Sequence, residues 1–183
     1  MKPTLILFTK APRWGTVKSR LAARIGPMAA LRFHRAQVGR MIRRLRDPRW
    51  RLVLAITPDR ARGPWTGGLE RWPQGRGDLG ARMIRALGRT GGPAVLIGSD
   101  IPGVTPAHIA RAFALLRRAD VVFGPAEDGG FWLLGLRRPM PMDVFAGVRW
   151  STEETLAQCL NRMGGRVVTL GDCLADVDDV LDI

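Results

Sequence analysis

The feature that most constrains this chain is residues 93–106, PAVLIGSDIPGVTP, where an unbroken aliphatic run over 94–97 stops at Gly98-Ser99-Asp100 and Ile-Pro-Gly follows. A short run without polar alternation, bounded by Gly and Pro, reads as a parallel strand buried on both faces. Its carboxyl end then opens at the surface, which in open α/β sheets is the crevice where ligands bind. Asp100 stands at that end. A carboxylate there suits a divalent cation shared with phosphate oxygens, whereas the same Asp taken alone reads as a helix cap or turn residue.

Similar runs recur at residues 4–9, 51–57, 121–123, 131–136 and 166–170. Helical spacing of apolar residues separates them: Val17, Leu21 and Ile25; Leu31, Val38, Ile42 and Leu45 after Pro27; Leu79, Met83, Ile84 and Leu87; Ile109, Ala112, Phe113 and Leu116, with Arg117 and Arg118 expected at that helix's end. Strands alternating with helices predict an α/β fold around a mostly parallel central sheet. At 183 residues the chain is expected to form one domain, 1–183, with a core that needs no staples. No run reaches membrane-spanning length, and the apolar part of the amino terminus is short for a signal peptide, so a cytoplasmic protein with no membrane partner is expected. Cys159 and Cys173 match no metal-ligand spacing and are read as reduced thiols.

Charge is unevenly spread. Residues 1–89 carry 21 Lys and Arg against 4 Asp and Glu, and residues 90–183 carry 8 against 12. Bringing both halves to one cleft would hold polyphosphate with the first and a metal with the second. The sum of +13 invites a nucleic-acid reading, but 26 Arg against 3 Lys and no Tyr suggests compositional bias. Zinc-finger spacing, an aromatic RNA-binding signature and a basic tail are all missing, so no nucleic-acid partner is expected.

The first run leads into KAPRWGTVKSRL, residues 10–21, where Pro12 and Gly15 impose a loop before a helix. Helix-end amides together with Lys10, Arg13, Lys18 and Arg20 would make an anion cradle fit for a triphosphate, although the stretch is not a Walker loop. Next, Gly75, Gly77 and Gly80 fit G-x-G-x-x-G, the dinucleotide fingerprint, with Asp100 twenty residues on. We read this as a decoy, because residues 69–73 contain Glu70, Arg71 and Pro73, which a central strand excludes, and because the pattern begins mid-chain. Asp78 suits a helix cap instead. Trp65 and Trp72 close the core rim or stack on a base, and His34, among charged neighbours, is expected to be solvated or at the core edge.

Glu127-Asp128-Gly129-Gly130 puts carboxylates and two permissive glycines before a buried run, and Asp-Gly is also a hairpin signal. Ser151 and Glu154 predict a capping box opening a helix through Met163 to Gly164. The closing acids, Asp176, Asp178, Asp179 and Asp182, either solvate a terminal helix or return one carboxylate to the cleft as a second metal ligand.

Taken in order, FTKAPRWGTVKSRLA, QGRGDLGARM, IGSDIPGV, DVVFGPAEDGGFWLLGL, VRWSTEETL and DVDDVL resemble the bacterial selenodomain-associated, radical-SAM-neighbouring transferases of the glycosyltransferase-A (GT-A) superfamily of nucleotide-diphospho-sugar transferases. More distantly the chain is similar to guanylyltransferases of deazaflavin and molybdenum cofactor biosynthesis. The resemblance implies a three-layer, Rossmann-like GT-A fold whose amino-terminal half binds nucleotide and whose carboxyl-terminal half binds a small-molecule acceptor. It further implies phosphate contacts from Lys10, Gly15, Lys18 and Arg20, and a nucleotide-facing segment containing Gln74, Gly75, Asp78, Leu79 and Arg82. Asp100 would bind Mg2+ or Mn2+, and Asp128, Gly129, Gly130, Trp150, Ser151 and Thr152 would line the acceptor side. Asp178 matches a closing D-x-D-T pattern, from which this chain departs with Asp179 in place of Thr and no following Pro.

The expected activity is metal-dependent transfer from a nucleoside triphosphate or a nucleotide sugar, with Asp100, Lys18 and Asp128 as the catalytic candidates. Charge building on phosphate oxygens needs a fixed cation and preorganised Lys and Arg. The alternatives are an NAD-type binder using Gly75, Gly77 and Gly80, or a basic nucleic-acid module. The base, the acceptor and the oligomeric state are left open.

Overall fold

The computed structural model describes residues 2–14 and 19–174. Strand β1 (Thr4–Lys10) leads to α1 (Ser19–Ile25) and α2 (Pro27–Leu45), then β2 (Arg51–Thr57), β3 (Arg71–Pro73), α3 (Leu79–Gly88), β4 (Ala94–Gly98), α4 (Pro106–Leu115), β5 (Val121–Pro125), β6 (Phe131–Leu136), α5 (Thr155–Asn161) and β7 (Val168–Leu170). Among the described residues, seven strands form one sheet in the order β3-β2-β1-β4-β6-β5-β7. Only β6 runs against its neighbours β4 and β5; every other pairing is parallel.

Strand alternation divides the core into two layers. Leu5, Leu7, Leu54, Val95 and Ile97 turn to the face covered by Val38, Met41 and Ile42 of α2 and Ile109 and Ala112 of α4. Ile6, Val53, Leu96 and Leu134 turn to the other face, against Ile84 and Leu87 of α3 and Cys159 of α5. Both faces of the central strands are therefore dry, which is why their sequences lack polar alternation. The result is the expected three-layer α/β architecture with a mostly parallel sheet.

Several local expectations are corrected. The stretch 69–73 does yield a strand, β3, but at the sheet edge, where Pro73 costs no ladder donor. Helix α4 stops at Leu115, so Arg117 and Arg118 fall in the turn beyond it; its start is fixed by a capping box between Thr105 and His108. Helix α5 spans only Thr155–Asn161, with Glu154 rather than Ser151 at its N-cap and no side-chain cap bond. Ser151 takes φ 61 instead, and Thr155 Oγ1 organises the turn, accepting from Thr152 N at 3.1 Å and donating to the carbonyls of Arg149 (3.0 Å) or Thr152 (2.7 Å).

The strand order also locates the site. From β1 the chain moves outward to β2 and β3, then returns through α3 to β4 on the other side of β1. The connections leaving β1 and β4 diverge, which opens a crevice at their carboxyl ends. Because β6 is antiparallel, its amino end, Phe131, reaches the same edge. Among the described residues no helix is long and apolar enough to cross a membrane.

Candidate functional site

A cavity of about 570 Å³ occupies that crevice. Its floor is the ends of β1 (Phe8, Thr9, Lys10) and β4 (Gly98) with Ser99 and Asp100; α2 contributes His34, α3 contributes Leu79, Arg82 and Met83, and the far wall is Asp128, Gly130, Trp150, Ser151 and Thr152. The half-buried Asp100 thus stands where the strand run predicts.

The floor is held by side chains that bind backbone. Thr9 Oγ1 donates to Ser99 Oγ at 3.0 Å, joining β1 to the β4 end. Gln37 of α2 donates through Nε2 to the Ser99 carbonyl at 2.7 Å. His34 Nε2 lies 2.9 Å from the Lys10 carbonyl; a carbonyl only accepts, so Nε2 carries the proton. His34 is 3% exposed and Gln37 1%; of the two readings of His34, the solvated one is corrected and the core-edge one holds, since it lines the cavity. Both were legible as polar residues within the apolar stripe of α2, where Ala30, His34, Gln37, Val38 and Met41 fall on one face. A polar side chain in such a stripe must find a buried partner.

Gln74 ties β1 to β2. Its Nε2 donates to the Thr9 carbonyl at 3.1 Å and the Ala55 carbonyl at 3.0 Å, and its Oε1 accepts from Arg82 at 3.1 Å. Both amide hydrogens are used inside the protein, so Gln74 lines the cavity as a clamp on Arg82. Arg85 closes the turn behind it by donating to the carbonyls of Gln74 (2.9 Å) and Arg76 (2.8 Å).

The glycines of the dinucleotide-like pattern serve packing. Gly75 N donates to Asp59 Oδ1 at 3.0 Å, and a Cβ on Gly80 would lie 2.5 Å from the Trp150 ring and 2.9 Å from Phe145. Gly80 is therefore the seat of the Trp150 indole, which meets Phe131 and Phe145 edge-on at centroid distances of 6.4 Å and 5.9 Å. Asp78 caps α3, its Oδ1 accepting from Ala81 N at 2.8 Å. Neither Gly75 nor Asp78 lines the cavity.

The far wall is one unit. Asp128 Oδ1 accepts from Gly130 N at 2.9 Å, Ala126 N donates to the Gly130 carbonyl at 3.0 Å to close the β5-β6 hairpin, and Gly129 takes φ 82. Leu156 N donates to the Gly129 carbonyl at 3.0 Å, so the hairpin docks on the start of α5. A Cβ on Gly129 would sit 2.1 Å from the Glu153 carbonyl oxygen, an approach only glycine permits. The hairpin reading of this stretch holds, and the close approach that Gly129 permits is to the Glu153 backbone.

The remaining predicted residues divide. Arg13 is exposed and does not line the cavity. Gly15, Lys18, Asp176 and Asp178 lie outside the described residues, as does the side chain of Arg20 on α1. Trp65 and Trp72 pack against the core, Trp72 donating to Glu70 at 2.8 Å. Cys159 is buried on α5, where desolvation pushes its thiol up to about 12, and Cys173 is exposed. Among the described residues no group of three or more His, Cys, Asp and Glu is arranged to hold a metal.

A family model described as "Uncharacterized protein conserved in bacteria (DUF2064)" matches residues 41–152. Among solved structures, the chain is similar over 98% of its length to a Desulfovibrio desulfuricans G20 protein provisionally described as a nucleotide-diphospho-sugar transferase, at 30% identity, 84% coverage of that chain and TM-score 0.89. It matches in fold the Rv0371c protein of Mycobacterium tuberculosis H37Rv in complex with manganese (18% identity, 100% of this chain and 96% of that one, TM-score 0.55). It likewise matches a CMP:2-keto-3-deoxy-manno-octonic acid synthetase complexed with CTP (12%, 100% and 95%, TM-score 0.59). No curated protein matches the chain in sequence.

Proposed function

We propose, from the premise that this chain belongs to the DUF2064 family, that it is a transferase using a nucleotide donor and a divalent metal, with both substrates held in the crevice between β1 and β4. The observation that carries the reading is the makeup of that one cavity, with Lys10 and Arg82 on one side, Asp100 at its floor, and the Asp128 and Trp150-Thr152 wall opposite. The fold neighbours bearing CTP or manganese support the same reading, as does the motif order shared with the selenodomain-associated transferases.

The donor set suits Mg2+ or Mn2+. Mg2+ takes oxygen ligands, commonly one or two carboxylates completed by substrate phosphates and water, and a cavity that offers Asp100 fits that need. When bound, the ion neutralises charge developing on the phosphate oxygens. Lys10 and Arg82 hold donor phosphates from the β1 side, Gln74 keeps Arg82 aimed at them, and Asp128 with Ser151 and Thr152 orients the acceptor hydroxyl or phosphate. Lys18, Gly15 and Arg20 extend the phosphate cradle, and Asp178 or Asp176 supplies a second metal ligand.

Nucleotidyl transfer is our first reading: an acceptor oxyanion attacks the α-phosphorus, its bond to phosphorus forms, and the bond to the bridging oxygen breaks to release pyrophosphate. Glycosyl transfer from a nucleotide sugar is the second, favoured by the Desulfovibrio relative. A thermal-shift panel of nucleoside triphosphates and sugar nucleotides, with and without Mg2+, tests both, since a ligand at a hundredfold its Kd adds about 2.7 kcal/mol. Triphosphate stabilisation with pyrophosphate release supports the first; sugar-nucleotide stabilisation with diphosphate release supports the second. Metal-independent stabilisation by NADH alone would overturn both. Asp100→Asn should lower turnover about a hundredfold, near 3 kcal/mol of barrier, with an unchanged melting curve; full activity in that variant removes Asp100 from the site.

A further inference from the structure

A second, more open cavity of about 820 Å³ lies on the other side of α2, lined by Arg32, Arg35, Arg40, Arg43 and Arg46 and, across the groove, by Trp65 beside Gly67. These arginines are exposed; the first four occupy the face of α2 opposite His34, Val38 and Met41, and Arg46 is its C-cap. We propose that this groove binds single-stranded nucleic acid, with the phosphodiester backbone along the arginine row and a base against the half-buried Trp65 indole.

Four observations lead there. Among the described residues the lining holds five guanidinium groups and no carboxylate, so an anion from outside would relieve their mutual repulsion. Among the described residues, Arg32, Arg35, Arg40 and Arg43 have no hydrogen bond or ion pair to the protein, while Arg44 on the same helix is spent on the carbonyls of Pro102 and Val104. Arg46 donates to the Gly67 carbonyl and so fixes one wall against the other. From Arg32 to Leu45 the helix rises about 20 Å at 1.5 Å per residue. That is room for about six phosphates at the spacing of a stacked strand, twice what a nucleoside triphosphate offers.

The floor is open because Ala36 and Gly39 carry no long side chain. A membrane surface is a poorer match, since none of the exposed large hydrophobic residues, Trp14, Ile25, Met28, Met142, Val167 or Leu170, lies in this groove. The sequence shows no nucleic-acid motif, and the site is tertiary: a helix face and a tryptophan about twenty residues further along the chain.

The test is fluorescence anisotropy of a labelled single-stranded oligonucleotide over roughly 50 to 300 mM salt, a range in which phosphate contacts show as a log-log slope. Arg35→Gln with Arg43→Gln should lower the magnitude of that slope by about 1.4, two contacts at about 0.7 each. Arg137→Gln with Arg138→Gln, an equal charge change at exposed positions on the other half, should leave the slope unchanged. Oligonucleotide should also quench tryptophan emission, and Trp65→Leu should remove that quenching. Equal loss in both arginine pairs would mean diffuse charge and overturn the site. Binding of polyphosphate or anionic vesicles with the same slope change, without Trp65 quenching by oligonucleotide, would overturn nucleic acid as the occupant.

Discussion

Gly129→Ala is the sharpest probe of how the far wall is built. The new Cβ would start 2.1 Å from the Glu153 carbonyl oxygen and 2.6 Å from its carbonyl carbon and Cα. Backbone atoms cannot swing aside as a side-chain end can, so either the Asp128-Gly130 turn or the Ser151-Glu153 segment must retreat by about an ångström to reach an ordinary contact. The φ of 82 adds a left-handed penalty of about 1 to 2 kcal/mol for an L-residue, and forced overpacking costs about 1 to 3 kcal/mol. The sum, about 2 to 5 kcal/mol, lowers Tm by on the order of 10 °C in a chain of this length. Because Asp128 and Thr152 sit on the two segments pushed apart, turnover should fall by about a hundredfold as well, the usual consequence of an ångström of misplacement. Circular dichroism melting and initial rates of nucleotide-dependent turnover measure the two effects, with Gly92→Ala, where a Cβ meets nothing within 4 Å, as the control. Melting and turnover equal to the control would refute the docking of the hairpin on Glu153.

Gln74→Met keeps volume and removes the clamp, leaving the Thr9 and Ala55 carbonyls without their amide donor and Arg82 with only the Asp78 carbonyl of its two acceptors. A loss of about 2 to 6 kcal/mol is expected at roughly 1 to 3 kcal/mol for each of the two carbonyls, together with a larger rise in donor KM than fall in kcat; unchanged melting would remove the clamp. A thiol reagent should titrate Cys173 in the native protein and Cys159 only after denaturation, since Cys159 is buried and Cys173 exposed; two fast thiols would contradict that packing. Burial raises the Cys159 thiol from 9.0 to about 12, so between those values the unfolded chain releases a proton that the folded one retains. Stability from this residue is therefore fully present below pH 9 and falls as pH rises toward 12, by on the order of 1 kcal/mol per unit. With no Tyr and 3 Lys, few other groups ionise there; a Cys159→Ala variant with the same alkaline melting profile would refute it.

The layered α/β fold was legible because burial on both faces leaves a local trace: runs such as residues 4–9 and 94–97 lack polar alternation, and each is followed by a helical period. Asp100 was legible for the same reason, standing at the end of such a run, and the cap at Asp78 because Asp before an amphipathic period is a local signal. What surrounds Asp100 was not local. Which strands become neighbours, and hence that the chain diverges between β1 and β4, depends on packing of the whole sheet. The edge position of β3 makes Pro73 acceptable there, and the close approach to Glu153 is what demands Gly129. His34, Gln37 and Gln74 draw their importance from carbonyls that only strand order brings within reach. Periodicity and propensity act over a few residues and so appear in the sequence; hydrogen bonds across 24 to 65 residues, and the cavity they hold open, exist only once the sheet has closed.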